Sequence, residues 1–183
     1  MKKILFVQLP PPRFIFEDPG ANIPLASGFL ASCVKTLAGE DFETEILGGD
    51  VVDVFADLGI IQEILQRSPD ILALSLYLWN SQRSLFVAAA VKRLNSNIRV
   101  MVGGPEVTPD NTWVLTHPAV DLGVFGEGER QLLEVLKTII YTYKKRRSLE
   151  ALFHPGSKLF KSKKTLLKPW DLKHSKYPYV DGT

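Results

Sequence analysis

"RVMVGGPEV" (Arg99–Val107) starts as a buried strand and breaks on two glycines and a proline. A strand that ends on residues without side chains leaves open space at its carboxyl end. That space is either a turn or the edge of a ligand site, and the elements on each side decide which. Upstream, "KILFVQL" (3–9) and "DILALSLY" (70–77) are short, nearly continuous apolar runs, as expected of strands covered on both faces. "FETEILGG" (42–49) alternates at its start and reads as a more exposed strand. Downstream, "VDLGVFGEGE" (120–129) is a fifth strand that also ends in glycines.

Helical stripes separate these runs. Ala26, Phe29, Leu30, Cys33, Val34 and Leu37 recur at helical spacing behind Asn22 as a cap and Pro24 in the first turn, and Gly39 ends the stripe. Val54, Leu58, Ile61 and Leu65 form one stripe on a helix that Asp50 would cap. Val87, Ala90, Val91 and Leu94 point inward from a helix that Ser81 would cap. Leu132, Leu133, Leu136, Ile139, Ile140 and Tyr143 form the clearest stripe. Strands alternating with helices imply right-handed crossovers and a parallel sheet. The expected fold is α/β: a flavodoxin-like (Rossmann-like), doubly wound, five-stranded parallel sheet over residues 1–148. After that the pattern changes. "KLFKSKKTLLKPW" reads as two short strands around a "KSKK" turn, and "DLKHSKYPYVDGT" as a linker, so residues 149–183 are expected to form a hairpin and linker.

The 183 residues, 45% of them apolar, suit one ordinary domain with a short appendage. No apolar run approaches the ~20 residues of a membrane span. "MKKILFVQLPPP" is too brief an apolar run for a signal peptide, and no small-residue cleavage site follows it. The single cysteine, Cys33, forms neither an internal disulfide nor a cysteine cluster, so a reducing cytoplasm is the default and a core position is expected for it. Charge is uneven: residues 1–143 hold 11 Lys and Arg against 17 Asp and Glu, residues 144–183 hold 11 against 3. The basic segment is interleaved with strand-like residues. That favours packing on an acidic body or a partner domain over nucleic acid.

In an open parallel sheet, ligands bind outside the carboxyl ends of the strands. Here the first strand ends in "QLPPP", the fourth in "GGP" and the fifth in "GEGE". Gly103 and Gly104 leave room for a large flat or bulky group, and Pro105 stiffens the exit. Gly104 is expected at the rim, where a valine would block the ligand without disturbing the fold; the alternative is a glycine held at positive φ, where a valine would strain the chain with or without a ligand. Several ligands are excluded. A nicotinamide fingerprint is missing after the first strand, and so is a Walker loop. Gln8 and Pro10 stand where a phosphoacceptor domain needs acids. Glu127 and Glu129 would repel a phosphate; Glu129 suits a helix start, and Glu127 is either a hydrogen-bond acceptor or a solvated loop residue. No nucleophile has a base beside it, and His117, His154 and His174 fall in loops or the tail. The chain reads as a binder of something bulky rather than a catalyst.

"SLYLWN" (75–80), "VMVGGPEV" (100–107) and "DLGVFGEGE" (121–129), in this order and spacing, resemble the N-terminal cobalamin-binding domain of B12-dependent radical S-adenosylmethionine enzymes. The resemblance covers nearly the whole chain. It implies a flavodoxin-like domain that holds cobalamin between its strand ends and a following barrel. The implied site is Pro10 and Pro11 after the first strand, then Ser75, Tyr77, Trp79 and Asn80 after the third. It continues with Gly103, Gly104, Pro105 and Glu106 after the fourth strand, and Gly126, Glu127, Gly128 and Glu129 after the fifth. Trp79 would either wall this site or pack on the core. Two departures matter. "LPPPRFIFED" lacks the histidine of the Asp-x-His-x-x-G loop, so no protein histidine is expected on cobalt. The Cys-x-x-x-Cys-x-x-Cys motif is missing, so S-adenosylmethionine and a 4Fe–4S cluster would belong to a missing domain of the same parent chain, cut off at Thr183. The expected function is thus the cobalamin module of a methyltransferase-like or rearrangement enzyme, not catalytic by itself. The alternative is a free-standing module that binds a nucleotide or a protein without cobalamin.

Overall fold

In the computed structural model, residues 1–11 and 23–144 are described. Five parallel strands are β1 (Lys2–Val7), β2 (Phe42–Ile46), β3 (Ile71–Ser75), β4 (Arg99–Gly103) and β5 (Leu122–Gly123), in the order β2-β1-β3-β4-β5. This is the expected flavodoxin-like arrangement, in which the order reverses beside β1. The helices are α1 (Leu25–Ala38), α2 (Gly49–Val52), α3 (Asp57–Arg67), α4 (Ser81–Leu94), α5 (Thr112–Leu115) and α6 (Gly128–Lys144).

Continuous apolar strands bury both faces. Leu5, Val7, Leu72, Leu74, Val100 and Val102 pack beneath Val51, Ile60, Ile64 and Val91 of α2, α3 and α4. Ile4, Phe6, Ile71, Ala73 and Met101 face Val34, Leu132, Leu136 and Ile139 of α1 and α6. The three central strands share a register in which Phe6 stands beside Ala73, and Ala73 beside Met101. The next row up on the same face pairs Ser75 with Gly103.

Several local expectations are corrected. The expected stripe holds only in its second half: Ile61 is buried and Leu65 packs against the core, but the Val54 and Leu58 side chains are 71% and 76% exposed. The chain leaves helical geometry between Val52 and Asp57, which resets the phase and turns Ile60 and Ile64 inward beside Ile61. On α1 the sheet takes Ser27 and Val34, leaving Phe29 and Leu37 mostly exposed and Cys33 only partly covered. Leu94, the last residue of α4, is exposed rather than inward. Neither expected cap acts as one. Asn80, not Ser81, precedes α4, and the Ser81 hydroxyl donates to the Tyr77 carbonyl at 2.7 Å. Gly48 precedes α2, and no side chain caps that helix. The fifth strand is two residues long rather than ten, and α5 precedes it. Asn22 and the hairpin and linker lie outside the described residues.

Candidate functional site: a cavity at the carboxyl end of the sheet

A cavity of about 470 Å³ opens at the strand carboxyl ends, on the face covered by α1 and α6. Small residues create it. On that face β3 presents Ala73 and then Ser75, and β4 presents Met101 and then Gly103. A Cβ on Gly103 would meet the Val124 carbonyl at 3.7 Å, an ordinary contact, so the missing side chain is open volume. Ala26 and Leu30 of α1 with Leu132 of α6 roof the cavity. Gly128 lets the two helices close over it, since a Cβ there would press the Leu30 methyl at 3.2 Å.

The rim is built by hydrogen bonds to backbone. Asn80 is fully buried. Its side-chain amide donates to the carbonyls of Leu9 at 2.9 Å and Ser75 at 3.2 Å. Its side-chain oxygen accepts from the Tyr77 amide at 2.8 Å. One side chain thus ties the ends of β1 and β3. Leu76 bridges to the next loop: its N–H donates to the Gly103 carbonyl at 2.7 Å, and its carbonyl accepts from the Glu106 N–H at 3.3 Å. Gly104 sits inside this knot with φ of 109°, and a Cβ there would lie 2.5 Å from the Leu76 carbonyl oxygen. That overturns the expectation that Gly104 accepts a valine freely. Gly126 also has positive φ, 74°, in open space.

Of the residues singled out by sequence, Ser75, Tyr77, Gly103, Gly104, Pro105, Gly126, Gly128 and Glu129 come together around the cavity. Pro10, Pro11, Trp79, Asn80, Glu106 and Glu127 do not line it. Pro10 is buried, Pro11 and Glu127 are exposed, and Trp79 is half exposed with its ring stacked on Tyr77, centroids 4.7 Å apart. Sequence reasoning missed Phe6, Ala73, Met101, Leu30 and Leu132, the deep walls. Ala73 and Met101 carried a signal, since each stands two residues before a residue already singled out. The helix residues carried none, because which helices cover the cavity is a tertiary matter.

Burial, then the Glu129 carboxylate, pushes the Cys33 thiol upward. His117 does not line the cavity; its Nδ1 accepts from the Ala119 N–H at 3.3 Å. Among the described residues no group of three His, Cys, Asp or Glu side chains could hold a metal ion, and no helix is long and apolar enough to cross a membrane. An apolar slot of this volume with a few polar groups at its mouth suits part of an organic ligand.

Residues 30–136 match the B12 binding domain family. The chain belongs to the B12-binding domain family. This B12-binding domain is 35% identical over 151 residues to the cobalamin-dependent radical SAM methyltransferase TokK of Streptomyces tokunonensis, covering 74% of this chain and 21% of the relative. It is 38% identical over 120 residues to 2-(S-pantetheinyl)-carbapenam-3-carboxylate methyltransferase of Streptantibioticus cattleyicolor, covering 62% of this chain and 16% of that one. The chain thus spans about a fifth of the length of these curated relatives. In fold, the B12-binding domain superposes with a TM-score of 0.60 and 20% identity on the radical enzyme OxsB, solved with aqua-cobalamin and S-adenosylmethionine bound. That match covers 82% of this chain and 20% of OxsB. A nucleotide- or protein-binding module without cobalamin is not favoured by this membership.

Proposed function

We propose that this domain binds cobalamin with the nucleotide tail in the cavity beneath α1 and α6 and the corrin edge across Gly103, Gly104, Pro105 and Gly126–Glu129. The observation that carries the reading is the run of small residues, Ala73, Ser75 and Gly103, that opens the sheet face at the strand ends in a chain of this family. Pro11, Glu106 and Glu127 would touch the ligand from the outer rim, and Pro10, buried at the end of β1, would brace that rim from behind. The stacked Tyr77 and Trp79 rings would wall one side, and Asn80 would hold that rim in place. When bound, cobalamin supplies a cobalt centre able to carry a methyl or other carbon group. The chain's own residues bind and orient the cofactor and shield its tail from water. Cobalt takes no histidine ligand from this chain in this reading.

The domain would serve as the cobalamin module of a cytoplasmic radical S-adenosylmethionine enzyme of methyltransferase type, with residues 149–183 leading toward the domain that holds the cluster. These 183 residues fit this division of labour, because their one cysteine cannot supply the three thiolates such a cluster needs. Equilibrium dialysis with aquacobalamin tests the reading. One cobalamin retained per chain is expected, with clearly weaker retention of cobinamide, which lacks the nucleotide. A folded chain that retains neither would overturn the proposal.

A further inference from the structure

The cavity changes character with depth. Its polar side chains, Ser75, Tyr77, Thr108 and Glu129, stand at or beyond the strand ends. One register row deeper, about 7 Å down the strands at two residues' rise, the wall is Phe6, Ala73 and Met101. These side chains carry no hydrogen-bonding group beyond a weak thioether. The strand amides and carbonyls beside them are engaged in the parallel ladders. A polar edge pushed to the floor would therefore leave water and meet no partner.

Which edge reaches the floor follows from how a cobamide is built. Its lower base hangs from the corrin by a ribose-phosphate arm joined to the five-membered ring of the base. Entry from the mouth puts the six-membered ring deepest. In dimethylbenzimidazole that ring is all carbon and carries two methyl groups. In adenine it is an amidine edge with a ring nitrogen and an amino group. Resting on the cobalamin reading above, we infer that Phe6, Ala73 and Met101 form a lower-base filter that admits benzimidazole-type cobamides and rejects purine ones. Burying the amidine edge without partners costs about tenfold to a hundredfold in affinity.

Absorbance titrations of the full chain with cobalamin, an adenine-bearing cobamide and cobinamide test the filter. Cobalamin is expected to bind at least tenfold more tightly than the adenine form. Adenine is the weaker cobalt ligand and detaches more readily, which by itself would favour the opposite order. Met101→Gln places an amide on the floor and should bring the two affinities within about threefold. Ala73→Leu fills the floor and should drop cobalamin to the affinity of cobinamide, leaving cobinamide unchanged, with circular dichroism showing that each variant is folded. Equal affinities for the two bases in the parent chain, or undiminished discrimination in folded Met101→Gln, would overturn the filter. Cobinamide binding as tightly as cobalamin also overturns it while leaving corrin binding intact. Failure of all three ligands to bind overturns both readings.

Discussion

Two adjacent glycines in one motif have different jobs. Gly104 is required by the backbone: its φ is 109°, and a Cβ would press into the Leu76 carbonyl at 2.5 Å. Gly103 lacks both constraints, and its missing side chain is part of the cavity. Gly104→Val should lower stability by about 2–3 kcal/mol through backbone strain and forced displacement of the Leu76 loop. Gly103→Val should keep stability within about 1 kcal/mol of the parent while weakening cobalamin binding at least tenfold. Urea unfolding and a cobalamin titration of both variants check the pair. A Gly104 variant as stable as the parent would show that the rim can open, and a Gly103 variant with full affinity would take that residue out of the site. The motif was legible in the sequence, but the division of labour within it was not. Adjacent positions differ in what stands opposite them, and Leu76 comes from another loop.

At the scale of elements, helical phase and the seams between strands decide what each residue does. The break between α2 and α3 turns Ile60 to a fully buried position and leaves Leu58 76% exposed. Ile60→Ala should cost about 2–4 kcal/mol as a core truncation, whereas Leu58→Ala should stay within about 0.5 kcal/mol. Chemical denaturation of the two variants separates them, and equal losses would mean that α3 sits in a different phase. The β1–β2–α3 seam is ionic. Lys3 lies 2.7 Å from one Glu45 oxygen, Arg67 lies 2.7 Å from the other, and Arg67 also pairs with Glu63. The hydrogen bond from Lys3 is the largest influence on the Glu45 carboxyl; burial opposes it, and with the Arg67 hydrogen bond and the two nearby cations the carboxyl is held below the usual carboxylate range. A carboxyl lowered on folding adds stability above its unfolded pKa, near 4.3. That stability is lost as pH falls through the lower, folded value. Glu45→Gln should therefore flatten the stability profile below about pH 4.5 and leave its shape near neutrality unchanged. Thermal melts across the acid range would show it, and an unchanged acid limb would mean the seam contributes nothing. The partners are exposed by roughly a quarter to a third, so solvent screening keeps the effect small.

For the whole molecule, a ligand that binds only the folded chain stabilises it by mass action. With cobalamin at about a hundred times its dissociation constant the gain is about 2.7 kcal/mol, or roughly 5–10 °C in melting temperature for a chain of this size. Calorimetry with cobalamin should show that rise, and no shift at saturating ligand would contradict binding to the native state. By itself the sequence determined the α/β class and the glycine-rich strand ends, because these depend on local periodicity and on residues that stop a strand. The resemblance of three short segments was enough to point to the B12-binding family. Only the tertiary structure decided that α1 and α6 roof the cavity and that Phe6, Ala73 and Met101 share one row at its floor. It also showed that Asn80 ties two strand ends together, while Trp79 lies outside the cavity lining, stacked on Tyr77. Periodicity reports which side of a strand or helix is apolar. It does not report which element 70 residues away stands opposite, and a cavity exists only between elements.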